Sequence, residues 1–415
     1  MKKLLRLALV GVLGVLLLLV AGPASSGALF LLLPIRERPV PLESEDYTPL
    51  NKGRVDLDIG VYFRENDDIV VPGTPLLVLR RSYAAGYRRS REFGVGTTHA
   101  DEWLVLGDGK QFQWAELHRP AESRVKFVRT SSGTSFFNAM YEQRGSVGEW
   151  TEARLGWTGI DWALRRTDGM LARFRPCGSG KNDRCTITSY RDPDGHVTRY
   201  RRTAGGRLER IESGPDRWIA FDYDHEDRVV RAYASTSREV GYEYDDRGRL
   251  ARVKTGHVVT HRYAYTDLDE MATIDEPDVM LDNSYENGRC VRQVNRYADG
   301  SPPYIFDFEY KLEGSRIVET VSRHSDGTWA RYGFDKNGFT TAESWGAQGR
   351  QSASVVIERD PVTSSARSLT LTCPDRTGQP LRHSSLVAPG GEHWLKWDLA
   401  RTYCSWSPGQ RRTPR

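Results

Sequence analysis

The chain has 415 residues, 38% hydrophobic and 27% charged, with 59 basic and 55 acidic side chains that leave a net charge of +4. The two signs are interleaved from end to end, so no basic patch of the kind that binds nucleic acid is present. With 11 Trp and 19 Tyr, the composition is that of a folded body with extensive aromatic packing, not of a disordered chain.

The first element is an export segment, residues 1–27. Lys2, Lys3 and Arg6 precede an apolar run from Leu7 to Ala21, and small residues follow, with Gly22 and Ala24 spaced for a signal peptidase. Residues 7–35 carry no charge, so the same stretch is long enough to be an uncleaved inner-membrane anchor. Both readings place the rest of the chain outside the cytoplasm, in the periplasm, at the cell surface or secreted, with a membrane contact only through this segment. Residues 28–54 are Pro-rich and charged and read as a linker.

A β-rich head spans 55–165. "VDLDIGVYF" alternates with period two, "TPLLVLRRSY" is a second strand, and "DEWLVLGDGKQFQWAEL" is a hairpin. "FRENDD" and "YAAGYRRSREFGVGTTH" read as connecting loops. Within the head, His99, Asp101 and Glu102 form the best general acid–base cluster; a surface loop is the simpler account. Asp56 and Asp58 resemble the start of a calcium loop, but the rest of such a loop is missing, and strand alternation explains them.

A repeat array spans 166–350. Its unit reads aromatic, any residue, aromatic, Asp, two polar residues, Gly, Arg, Leu or Val. "YEYDDRGRL" at 242–250 carries it in full; "FDYDHEDRV", "YAYTDLDEM", "FEYKLEGSRI" and "YGFDKNGFT" carry it with substitutions. The second aromatics are Tyr190, Tyr200, Tyr223, Tyr244, Tyr265, Tyr285, Tyr310 and Phe334, spaced roughly 20–25 residues apart from Tyr200 onward. Aromatics at i and i+2 share one strand face. The Asp residues, among them Asp224, Asp245 and Asp335, open an Asx turn, and the Gly supplies a positive φ. Each unit is therefore a β-hairpin that must pair with its neighbours to be stable. The aromatic row is read as core; its alternative is a stacking platform for sugars.

Export makes disulfides possible for the five cysteines. Cys177 and Cys185 bracket a polar loop, and Cys373 and Cys404 flank the C-terminal segment, residues 351–415, which reads as a cap cross-linked over the last repeat. Cys290 is left over, as a buried thiol. No CxxC or HxxxH spacing occurs, so no metal is expected, and no P-loop, dinucleotide fingerprint or serine elbow points to a cofactor or an enzyme.

"YDDRGRL" at 244–250 resembles the repeat of the RHS/YD-repeat family. "VPGTPLLVLRRSYAAGYRRSREFGVG" at 71–96 is similar to that family's pre-repeat segment, with Thr97 where the family usually has Trp. The resemblance, over roughly 55–350, implies an all-β fold: an antiparallel hairpin array wound as a partial spiral, behind an all-β head. It also implies an RHS context, in which many members enclose a C-terminal toxin. This chain departs from that pattern. "DPDG" at 192–195 sits at the start of the repeats and reads as a turn, "DPVTSS" at 360 lacks the self-cleavage glycine, and the array is too short to close a large shell. The expected function is an exported, non-enzymatic scaffold binding a glycan or a protein partner, such as another envelope or RHS protein. The alternative is a companion or remnant of an RHS toxin-delivery system.

Overall fold

In the computed structural model the described residues are 54–386, without 86–89, 108–113, 120–124, 134, 136–137, 144–149, 177–184, 337, 362–365, 376 and 378, together with Cys404. The export segment, the linker and Cys177 lie outside them. Among the described residues no helix is long and apolar enough to cross a membrane.

The fold is all-β and antiparallel, as the repeats require. One long sheet runs in chain order from Leu104–Gly107 to Pro380–Leu386. Its beginning closes on itself. Strand Cys185–Arg191 pairs along one part with Leu104–Gly107 (Cys185 with Val105, Thr186 with Leu104) and along its end with Val197–Arg202. The first turn is thus a ring of head strands completed by Leu171–Phe174 and Cys185–Arg191 from the start of the array, and the later repeats leave it as a spiral. Closure comes from the first array strands pairing back onto the head, which the length of the repeat array does not reveal. At the other end the sheet runs past residue 350: Arg350–Arg359, Ala366–Pro374 and Pro380–Leu386 pair in succession.

A second, four-stranded sheet is made of Val55–Asp56, Val61–Val71, Leu77–Ala84 and Thr97–His99. "FRENDD" is not a loop but the middle of the Val61–Val71 strand, because its charges have partners: Asp67 pairs with Arg80 and Asp68 with Arg81. The loop expected up to His99 contains the short pair Ser90–Arg91 and Gly94–Val95 as well as strand Thr97–His99. "VDLDIGVYF", by contrast, is broken by a turn at 57–60, where Gly60 donates to the Asp56 carbonyl at 2.7 Å.

Each repeat hairpin carries a register shift. Tyr244 pairs with Leu250 while Glu243 pairs with Arg252, so Ala251 is the inserted residue of a β-bulge. Leu250 and Val253, three residues apart, therefore both point inward, and both are fully buried. The same spacing recurs at Leu208 and Ile211, Val229 and Ala232, Met271 and Ile274, Cys290 and Gln293, and Ile317 and Thr320, all buried. Cys290 thus occupies the position that Leu250 holds in the best repeat. Burial pushes its thiol up to about 12, which keeps it protonated and unreactive.

Candidate functional site

The inward face of the repeats is covered by the four-stranded sheet, and the contact between them concentrates the buried polar chemistry of the molecule. At its centre Arg81 and Asp68, each 2% exposed in the side chain, form a bidentate pair of 2.9 and 3.1 Å. Two repeat tyrosines complete it: the Tyr242 hydroxyl donates to Asp68 Oδ2 at 2.9 Å, and Arg81 Nη1 donates to the Tyr263 hydroxyl at 3.0 Å. Burial alone would lower the Arg81 pKa; the Asp68 carboxylate outweighs it and holds it above the ordinary value.

Beside this pair, Arg64 binds Glu276, and Asn66 donates to Glu276 at 3.3 Å. His261 lies 3.8 Å from Glu276 and stacks on Tyr263. Burial, then the neighbouring Arg81, lowers the His261 pKa. Further along, the Tyr83 hydroxyl accepts the Met271 N–H at 2.8 Å and donates to the Asp269 carbonyl at 3.3 Å. Thr320 Oγ1 donates to the Leu57 carbonyl at 2.6 Å, and the Cys290 N–H to the Gly60 carbonyl at 2.9 Å. Gly94 meets a repeat turn at close range: a Cβ there would come within 2.5 Å of the Gly248 carbonyl oxygen, which accepts the Val95 N–H at 3.1 Å.

The repeat anchors form a ladder. Tyr223, Tyr244, Tyr265, Tyr285 and Tyr310 donate their hydroxyls to the carbonyls of Leu208, Val229, Leu250, Met271 and Cys290, at 2.6–2.9 Å. Each anchor is thereby tied to the return strand of the preceding unit. The motif's Asp and Arg tie units as well. Asp245 accepts the N–H groups of Arg247 and Arg249 and the Arg249 Nε, and the Arg249 guanidinium lies 4.9 Å from the ring centre of Tyr265 in the next unit. Asp224, Arg228 and Tyr244 repeat that arrangement, at 4.6 Å. Burial acts to raise the Asp224 pKa, but the Arg228 and Glu226 N–H groups and the Arg228 side chain outweigh it, so the carboxyl sits below its ordinary value. Asp335 accepts the Phe339 N–H at 3.0 Å in the equivalent turn. Tyr200 is buried, and so is Phe334. Tyr190 stacks edge-on against Trp103 at 5.7 Å.

The His99–Asp101–Glu102 cluster is not on the surface: His99 is 2% and Glu102 6% exposed. Strand Thr97–His99 pairs with Leu77–Ala84 and carries them inward. Thr98 Oγ1 donates to Glu102 at 2.7 Å and lies 3.2 Å from Glu92. Burial raises the Asp101 pKa to about 6, against a hydrogen bond from Tyr200 that lowers it. Asp56 ends its strand and Asp58 sits in the 57–60 turn that follows, where the Asp58 N–H donates to Asp56 Oδ1 at 3.2 Å. Burial first, then Asp58, raises the Asp56 pKa. "DPDG" is a turn, with the Gly195 N–H on the Asp192 carbonyl at 3.1 Å. Asp192, Asp194 and His196 come together there, at an exposed turn where Asp192 already binds the His196 ring at 3.0 Å.

Cys373 and Cys404 are disulfide-bonded, with Cα atoms 5.8 Å apart. Both are buried beside Val355, Ile357, Leu369 and Leu371, so Cys404 is fastened onto the last strands. Cys185 is also in a disulfide. Arg64, Asp68 and Arg81, the centre of the interface, are absent from the sequence-derived candidates. The Asp68–Arg81 pair did leave a signal: adjacent acids in "NDD" stand thirteen residues before adjacent arginines in "LRRS".

Residues 52–127 match a family model described as a domain of unknown function, DUF6531. None of the curated proteins matches the chain. Among solved structures, the chain is similar to the crystal structure of TcdB2-TccC3-TEV, at 10% identity and TM-score 0.35, covering 78% of this chain and 21% of that one. It is similar to the crystal structure of TcdB2-TccC3-Cdc42, at 11% identity and TM-score 0.36, covering 80% and 22%. The Photorhabdus luminescens Tc holotoxin pore gives 9% identity and a TM-score of 0.29, over 80% of this chain and 21% of that one. The chain spans about a fifth of the length of these chains, and the likeness is one of fold alone.

Proposed function

We propose that the protein is an exported, non-enzymatic β-scaffold of the RHS/YD-repeat kind that binds a partner at the cell envelope through the outward face of its sheet. One observation carries this reading: the inward face is filled by the chain's own head. Tyr242, Tyr263, Tyr83 and Tyr62 are all buried between the two sheets, so the aromatic row serves as core and recognition falls to the other side. The acidic and His residues that first suggested chemistry are engaged in packing and turn bonds, which supports a structural role for them. The Cys373–Cys404 disulfide fits an oxidising compartment.

Fractionation of cells producing the epitope-tagged full-length chain, with alkylation before reduction, tests the reading. The tagged protein should appear outside the cytoplasm with Cys373 and Cys404 protected. It should bind isolated envelopes saturably, and protease or periodate treatment of those envelopes should identify the partner as protein or glycan. Recovery in the cytoplasm with both thiols alkylated, or unsaturable envelope binding, would overturn it.

A further inference from the structure

The outward face of the late repeats holds a cleft of about 340 Å³ that nothing in the repeat ladder uses. Its position follows from strand alternation. Tyr332 packs inward on the core, and Thr320 reaches the head inward. Trp329 and Arg331, and Val321 and Arg323, therefore face outward. Register places Trp329 between Arg323 and Gly346, and Arg331 between Val321 and Ser344. Val321, only 6% exposed, is the floor. Gly346 lies beside it: a Cβ there would run into the Arg350 carbonyl oxygen, which is what requires the glycine, and would come within 2.9 Å of Trp329 Cζ2, so the indole also packs close to the glycine.

The charges are not equivalent. Arg323 is held by Glu309 in two bonds of 3.0 and 3.2 Å. Arg331 is exposed and, among the described residues, has no hydrogen-bond or ion-pair partner of its own, although Glu309 is close enough to feel its charge. The cleft also lies in mid-sheet. Strand Thr328–Phe334 is paired on both sides, so no free edge can accept an added peptide strand. A ligand must be recognised by side chains: a flat aromatic surface, an apolar floor, and a guanidinium carried on the same face two residues along, on a Cα about 6.6 Å from that of Trp329. An aromatic face with a guanidinium on the same strand face beside it suits a pyranose ring and its carboxylate. A simple anion would use Arg331 and leave Trp329 idle.

We infer that this cleft binds a carboxylate-bearing sugar, a hexuronic acid unit stacked on Trp329 with its carboxylate on Arg331. The inference rests on the outward-face reading above and names a ligand class for it. Calorimetry and Trp fluorescence on the exported protein, with an oligogalacturonate as probe, test it. The wild type should bind the oligogalacturonate and bind its methyl ester far less. Arg331→Gln should weaken binding about tenfold or more, Arg331→Lys should restore part of it, and Trp329→Ala should abolish it, with the thermal midpoint of the Arg331 variants unchanged. No binding by the wild type, equal binding by Arg331→Gln, or equal binding of inorganic phosphate or an oligo-glutamate peptide would overturn the assignment. Envelope binding that survives Arg331→Gln alongside absent uronate binding sinks the cleft alone; loss of wild-type envelope binding sinks the broader reading.

Discussion

Arg81→Ala is the sharpest probe of how head and repeats hold together. The substitution takes both guanidinium bonds, at 2.9 and 3.1 Å, from an Asp68 carboxylate that is 2% exposed, and leaves it only the Tyr242 hydroxyl. It also removes the donor to Tyr263 at 3.0 Å. Leaving one partner of a buried ion pair uncompensated costs about 3–5 kcal/mol. Taking both charges away, as in Asp68→Leu with Arg81→Met, strands only two tyrosine hydroxyls. Desolvation of an unsatisfied hydroxyl costs about 1–3 kcal/mol, and the new apolar contacts offset part of it, so the double variant should be more stable than the single. Urea unfolding of the exported protein, followed by Trp fluorescence, reads both. A single variant within about 0.5 kcal/mol of wild type, where an exposed surface change would fall, refutes the idea that this pair anchors the interface. A double variant no better than the single refutes the charge argument.

Other consequences are as direct. Tyr244→Phe loses the 2.6 Å bond to the Val229 carbonyl and should cost about 1 kcal/mol, whereas Tyr244→Ala should cost about 3–5 kcal/mol as an aromatic truncation in the core; a thermal shift within error for both would count against the ladder. Deleting Ala251 removes the inserted residue and leaves Leu250, Arg252 and Val253 in strict alternation, so Val253, now 1% exposed, stays inward opposite Tyr242; the loss should stay below the about 1.5–3 kcal/mol that exposing that side chain would cost, and a larger drop in the denaturant midpoint would show that the bulge itself is needed. Asp101 has a folded pKa raised from 3.8 to about 6, so the native state keeps a proton the unfolded chain has lost, and the group's contribution to stability falls as pH rises through that window. Asp101→Asn should therefore help more at pH 7.5 than at pH 4, and an equal difference at both pH values would rule out burial of the carboxylate as the cause.

The repeats were legible because their turn chemistry is local. An Asp, a Gly with positive φ and an Arg three or four residues later fix a hairpin without reference to the rest of the chain, and Gly248, at φ 74°, behaves as its position requires. The head was less legible because its charges find partners far away in sequence. Glu276 lies 212 residues from Arg64, and Tyr242 lies 174 residues from Asp68. A run such as "FRENDD" looks like a solvated loop until those partners are in place. His99 and Glu102 misled for the same reason: only the pairing of Thr97 with Tyr83 shows which way that segment faces.

The bulge explains why the return strands are harder to read than the turns. Strict alternation puts residues i and i+2 on one face, so Leu250 and Val253 appear to face opposite ways. With Ala251 inserted they face the same way, and the inward pair of every described unit from Tyr200 to Tyr310 keeps this spacing of three. Two of those pairs contain polar residues, and each has a reason. Gln293 donates to Asn283 Oδ1 at 2.7 Å, and Asn283 donates to the Met271 carbonyl at 3.1 Å, so the second slot of that unit is bridged by side-chain amides in place of apolar contact. In the next unit Thr320 fills the slot and gives its hydroxyl to the Leu57 carbonyl. The late repeats thus exchange apolar burial for hydrogen bonds to one another and to the head. Cys290, in the first slot of the Gln293 unit, packs as a small hydrophobe, and its N–H reaches the Gly60 carbonyl. A slot that looks degenerate in the repeat is where the head and the array are joined.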